Sequence, residues 1–190
     1  FVDAQWERDF APDADPIAVL NPIASHLSVM RSTLLGGLVN ALSYNLNRKA
    51  DRVRVFEVGR VYMRDRDSAD GPLQIGGLTQ PIRVAGLAYG ANDDEQWAAP
   101  ARDVDFFDVK GDVESLLPNA RFTAAQHPVL HPGRSSMIDI DGRPVGMIGQ
   151  LHPRLQQHYE LPKPPIVFEL DLARLLVRTL PRHSELSRFH

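Results

Sequence analysis

The stretch from Asn21 to Tyr62, NPIASHLSVMRSTLLGGLVNALSYNLNRKADRVRVFEVGRVY, constrains this chain most, because it encodes a turn, an amphipathic helix, a basic elbow and an apolar strand in succession. Leu34, Leu38 and Leu42 recur at four-residue steps, and Leu35, Val39 and Leu46 run beside them, so the apolar face is broad. Asn40, Ser43 and Asn47 fall outside it. Ser32 stands where an N-cap belongs, and Arg48 and Lys49 place positive charge where the helix dipole favours it. Gly36 and Gly37 each cost about 1 kcal/mol against alanine in a helix. Two in a row point either to a close approach to the backbone or to tolerance in a first turn.

The strand that follows puts Val53, Val55 and Glu57 on one face and Phe56, Val58 and Tyr62 on the other. Both faces are apolar in the middle, which predicts a strand inside a covered sheet. Glu57 then stands among valines and needs a partner or a solvated pocket. An arginine ion pair is the expected solution.

The chain has 190 residues, enough for one domain that buries on the order of 70% of its unfolded surface. Its formal net charge of -3 gives no global attraction to nucleic acid or anionic membrane. It has no cysteine, which excludes disulfides, thiolate nucleophiles and Cys-ligated zinc and fits a cytoplasmic protein. No apolar run reaches membrane-spanning length. Phe1 and the tail SELSRFH read as cut ends of a longer chain.

Residues 1–20 read as a lead-in from a preceding domain, 21–180 as the core module and 181–190 as a linker to a further domain. The segment 67–72 is the clearest loop, and Pro81–Gly90 is a second apolar strand. A helix spans Asp105–Leu117, with Asp105 as cap and Pro118 as stop. Strands follow at Arg121–Gln126, Ser135–Ile140 and Val145–Leu151, the last two joined by the hairpin signal Asp141-Gly142. A helical turn at Pro153–His158, a strand at Ile166–Leu170 and a helix at Leu172–Leu180 with Leu172, Leu175 and Leu176 inward complete the chain. The class is α+β: a mainly antiparallel sheet flanked by helices.

Several short strings together carry a resemblance. They are Asn21-Pro22-Ile23, Ser28-Val29-Met30-Arg31-Ser32, Tyr44-Asn45-Leu46-Asn47-Arg48 and Arg52 to Arg60, then Asp105 to Asp112, His131-Pro132-Gly133-Arg134-Ser135, Gly146 to Pro153 and Val167 to Asp171. Spread from about residue 19 to the end, they resemble the β chain of bacterial phenylalanyl-tRNA synthetase. The resemblance implies a class II aminoacyl-tRNA synthetase-like domain that has lost catalysis. The implied partners are the catalytic α chain, the remainder of the β chain and, through the holoenzyme alone, tRNA. No membrane partner is implied. ATP and Mg²⁺ are implied for the α₂β₂ holoenzyme, and no cofactor for this stretch. Ser187-Arg188-Phe189 matches the start of the next domain of the family, and His190, where the family has proline, is either native or the start of a tag.

An active class II domain needs an Arg-x-Glu on the second-motif strand, a glycine-rich terminal strand and an arginine opening the next helix. Guanidinium groups and Mg²⁺ there stabilise charge building on phosphorus. Here Val55 stands two residues before Glu57, and Pro165 to Leu170 contains no glycine. Phe168 and Leu170 are expected to fill the space of a nucleotide. Glu57 and Arg174 are read as the remnant of the site.

The remaining chemistry reads as structure. Proline follows His127, His131 and His152, which argues against a zinc-binding helix face and for turn histidines bonded to backbone. Asp103, Asp105, Asp108 and Asp112 read as helix N-terminal charges instead of a cation site. The leading expectation is an assembly module whose helix face (Leu34, Leu35, Leu38, Val39, Leu42, Leu46) meets the α chain. The alternatives are an RNA-docking module using the basic elbow Arg48 to Arg60, and a degenerate ATP-dependent ligase around Glu57.

Overall fold

The computed structural model describes residues 1–72, 74–94, 96–97 and 102–176. Its centre is a six-stranded antiparallel sheet in the order β3-β6-β10-β9-β8-β7. These strands are β3 (Val53–Arg60), β6 (Ile82–Tyr89), β7 (Arg121–Ala124), β8 (Leu130–Ile140), β9 (Arg143–Leu151) and β10 (Ile166–Asp171). Helices α1 (Ala4–Phe10) and α2 (Leu35–Leu46) pack on one face, and α3 (Phe106–Leu116) packs on the other over β9 and β10. Two short ribbons, β1 (Ile17–Ala18) with β2 (Val29–Met30) and β4 (Met63–Arg64) with β5 (Leu78–Thr79), lie outside this sheet. The short helices α4 (Pro153–His158) and α5 (Leu172–Leu175) flank β10 in the chain.

Local chemistry sets several boundaries. Asp105 accepts from the Phe107 and Asp108 amides while Asp108 accepts from the Asp105 amide, a reciprocal capping box at the start of α3. Asp141 and Gly142 both have positive φ, 53° and 74°, the backbone that a two-residue hairpin between β8 and β9 requires. Between Leu130 and Ser135 the pairing of β8 with β9 is irregular, so the segment His131-Pro132-Gly133-Arg134 leaves the ladder.

Four expectations change. Residues 1–20 do not form a lead-in: α1 joins the core, with Phe10 buried and Trp6 packed beside it. A methyl group on Gly36 would touch Phe10 at 3.3 Å and Trp6 at 3.5 Å, so this glycine marks where α1 approaches α2. Strand β3 lies at the sheet edge. Phe56 and Val58, on its α3-side face, are 76% and 53% exposed, because α3 covers only the far half of that face. Helix α5 stops at Leu175, Leu176 after it is exposed, not inward, and the rest of the helix expected to 180, like the linker at 181–190, lies outside the described residues.

The fourth change concerns the face on which Phe168 lies. Register pairs Phe56, Gly86, Phe168 and Ile148 in one cross-strand row, and Glu57, Ala85, Glu169 and Met147 in the next. Adjacent rows point to opposite faces. Phe168 and Leu170 therefore fill the α3 side, where the Phe168 ring lies over Gly86, and neither is above Glu57.

Candidate functional site

The site is built around the entry to α2. Helix α2 begins with Leu34 in the N-cap position, whose own side chain cannot cap it, and the Thr33 hydroxyl oxygen accepts from the Leu35 amide at 3.2 Å. Ser32, expected as the cap, is 7% exposed and bonded elsewhere. Glutamates from three separate elements hold the segment Arg31-Ser32-Thr33-Leu34 instead. From α1, Glu7 accepts from the Ser32 amide at 2.8 Å and from its hydroxyl. From β10, Glu169 accepts from the Thr33 hydroxyl at 2.9 Å and from the Leu34 amide at 2.7 Å. From β3, Glu57 pairs with Arg31 at 2.5 Å, and Arg31 also donates to the Arg60 carbonyl at 3.0 Å.

A carboxylate at a helix N-terminus meets the positive end of the dipole and satisfies orphan N–H groups. Glu169 does this while buried, with 3% of its surface exposed, and it is paired with Arg83. Burial pushes the Glu7 carboxyl up, the two Ser32 bonds pull it down, and the nearby Glu169 charge adds to the rise. A cavity of about 250 Å³ lies beside this cluster, lined by Arg83, Glu169, His127, Thr33, Met63 and Met147. Burial lowers the pKa of His127. Below α1 the rings of Trp6, Phe10 and Tyr159 pack together, with centroids 4.5 to 5.8 Å apart. The Tyr159 hydroxyl donates to Asp9 at 2.6 Å.

The sequence-derived candidates divide as follows. Leu34, Leu35, Leu38, Val39 and Leu42 are at most 3% exposed and Leu46 packs on them, so these six fill this chain's own core. The opposite side of α2 is the exposed one, with Gly37, Asn40 and Tyr44 outward and Arg48 stacked 3.4 Å from the Tyr44 ring. Glu57 does carry an arginine ion pair, but its partner Arg31 lies 26 residues upstream. Arg174 pairs with Asp171 at 3.5 Å and donates to the Pro144 carbonyl, so it and Glu57 serve separate partners.

The basic elbow is largely engaged. Arg54 donates to the Tyr89 carbonyl at 2.6 Å and the Ala91 carbonyl at 2.8 Å, Arg52 faces Asp94 at 3.7 Å, and Arg60 donates to the Gln80 carbonyl at 3.2 Å. His127, His131 and His152 each accept, through Nδ1, the amide two residues on, at 3.4, 3.0 and 3.1 Å. Asp103 pairs with Lys163 at 2.7 Å, and Asp108 forms a fork with Arg102 at 2.6 Å. That fork holds the Asp108 carboxyl down at about 2. Glu7, Arg83 and Glu169 went unassigned in the sequence. For Arg83 and Glu169 the signal was a charge set among apolar residues inside the strands IRVAGLAY and IVFELD.

An antiparallel sheet with a helix pinned across one face is the architecture of a class II tRNA synthetase module. The chain superposes on a pyrrolysyl tRNA synthetase from Desulfitobacterium hafniense with a TM-score of 0.60, over 92% of this chain and 56% of that one. Sequence identity there is 14%, so the likeness is one of fold. A family model described as the phenylalanyl tRNA synthetase beta chain CLM domain matches residues 1–172, and the chain belongs to that family. It is 59% identical to the phenylalanine–tRNA ligase beta subunits of Burkholderia lata and Ralstonia nicotianae, and 53% identical to that of Bordetella bronchiseptica. Those alignments cover 99 to 100% of this chain and 24% of each relative, so the chain spans about a quarter of their length.

Proposed function

We propose that this domain is a non-catalytic support module that assembles with the α chain of a phenylalanyl-tRNA synthetase, the chain that attaches phenylalanine to its tRNA using ATP and Mg²⁺. One observation carries the reading. On the α2 side of the sheet the guanidinium groups of Arg31 and Arg83 are each held by a glutamate. A phosphate arriving there would have to displace a carboxylate that is already bonded, and at Glu169 that carboxylate also anchors α2. Glu57 and Arg174 are then remnants whose present work is structural.

The helix proposed to meet the α chain is α2, through the face its own core does not use. Gly37, Asn40 and Tyr44 give that face a shallow profile, with an aromatic side chain that is 57% exposed. Such a surface suits packing against a partner helix. The test is co-purification of the full-length β chain with the α chain by size exclusion, alongside pyrophosphate–ATP exchange by the β chain alone. Association without exchange is the expected result. Exchange by the β chain alone would overturn the reading, and so would failure of the two chains to associate at tens of micromolar.

A further inference from the structure

We propose that a cavity on the α3 side of the sheet is a binding site for a small aromatic carboxylate, separate from α2 and its docking face. The cavity measures about 630 Å³ and lies at the N-terminal end of α3, over β8, β9 and β10. That volume is within the range of sites that enclose small organic ligands. Its apolar wall comes from Val104, Phe106, Phe107 and Ile166. Phe106 and Phe107 meet edge to face with centroids 5.5 Å apart, and Phe107 is 74% exposed. An exposed ring at a cavity wall offers a second ring both contact area and a favoured geometry.

The opposite wall is polar and incompletely bonded. Gln150 is only 8% exposed, and its Oε1 accepts from Arg134 at 2.8 Å. Its Nε2 has no acceptor among the described residues. Arg134 has no carboxylate within ion-pair distance among the described residues, although it lines the same cavity. Ser136, two residues beyond Arg134 on β8, adds a hydroxyl with no bond among the described residues. The acids at the rim do not compensate Arg134. Asp103 is paired with Lys163, and Asp105 accepts from the Phe107 and Asp108 amides. An amide donor that reaches the cavity from a nearly buried side chain, beside a guanidinium with no carboxylate partner among the described residues, is matched by an anionic acceptor of two oxygens. The apolar wall supplies the ring's half of the recognition.

The probe is 3-phenylpropanoate, followed by saturation-transfer NMR on the full-length protein that carries this chain, with 3-phenylpropanamide as the neutral control. The acid is expected to bind saturably with a dissociation constant on the order of 1 mM or tighter. The amide is expected to bind at least about tenfold more weakly. The variant Arg134→Met keeps the stem of an exposed side chain and should weaken the acid by a similar factor; because it also strips the Gln150 Oε1 of its donor, a melt must show the variant folded at the temperature of the titration. Phe107→Ala, also at an exposed position, should weaken acid and amide alike. Absence of saturable binding would overturn the site, as would equal binding of acid and amide or full affinity in Arg134→Met.

Discussion

Glu57 and Glu169 stand in the same cross-strand row with Ala85 between them, and both reach the four residues that open α2. Two strand spacings put their backbones about 10 Å apart, yet Arg31 and Leu34 are near neighbours in the chain. The start of the helix is therefore spanned by two strands of the sheet, and Glu7 closes it from the side of α1. An α2 placed this way is fixed in register and in tilt by charge as well as by its leucines.

The two ion pairs should differ in worth. Replacing Glu169 by Ala leaves Arg83 uncompensated and removes the acceptor of the Leu34 amide. Breaking one side of a fully buried pair costs about 3–5 kcal/mol, and because the Arg83 side chain is 26% exposed while Glu169 is buried the loss should lie near the low end of that range. Arg31→Met disrupts a pair whose side chains remain 25% and 34% exposed, and it should cost about 1 kcal/mol or less. Urea denaturation of the two variants tests the order. Equal losses would mean that Glu169 is no more than a surface acid.

Gly86 and Gly146 are both too close to a neighbour to take a side chain, but the neighbours differ. A methyl on Gly86 would run into the Phe168 ring, while one on Gly146 would run into the backbone carbonyl of Glu169. Each alanine substitution should destabilise by about 1–3 kcal/mol through overpacking. Trimming Phe168 to Leu should relieve Gly86→Ala, so the double variant loses less than the sum of the singles. The same trim should leave Gly146→Ala unrelieved. Additive losses for Gly86→Ala and Phe168→Leu would remove the ring from that position.

What could be read from the sequence was what is decided within a few residues. The Asp105 cap, the Asp141-Gly142 hairpin and the leucine stripe of α2 each follow from local backbone preference or helical period. Ser32 failed as a cap because Glu7, 25 residues away, binds it and Glu169, 135 residues from Leu34, takes the helix amide, where no local pattern reaches. Strand β3 looked covered because its alternation is apolar on both sides, and only strand order reveals an edge. The side on which Phe168 falls depended on pairing register, since a shift of one residue reverses every side chain. In the candidate site the chain disclosed Glu57 but not its partner, and it gave no sign that Glu7 and Glu169 act on the same helix end.

Glu7 and Asp108 should give opposite pH dependences. Burial raises the folded pKa of Glu7 above its unfolded value near 4.5. The folded state then holds the proton more tightly, so this residue's contribution is greatest below pH 4.5 and is lost as pH rises through the raised value. Asp108 is depressed from 3.8 to about 2 by the Arg102 fork, so its contribution is present above 3.8 and lost as pH falls through about 2. Stability differences between the parent chain and Glu7→Gln, followed from pH 4 to 7, should shift in favour of the variant as pH increases. Parent against Asp108→Asn should lose its difference below pH 4. A flat Glu7→Gln difference would show that this carboxyl is solvated like an ordinary one.

The two faces of α2 should separate folding from assembly. Leu38 is 3% exposed inside the core, so Leu38→Ala should cost about 2–5 kcal/mol and reduce association only as far as it unfolds the domain. Tyr44 is 57% exposed and stacks with Arg48 on the outer face. Tyr44→Asp gives up that exposed stack and little else, so stability should change by about 1 kcal/mol or less. If α2 meets the α chain through this face, the added carboxylate must be desolvated there, and affinity should fall about tenfold or more. Asn40→Arg, one turn earlier on the same face, should act in the same direction by bulk. Calorimetric titration of each full-length variant with the α chain reads the effect, and circular dichroism melts control for folding. Native affinity in both outer-face variants would move the interface away from α2, leaving the exposed Phe56 and Val58 of β3 as the apolar surface to test next.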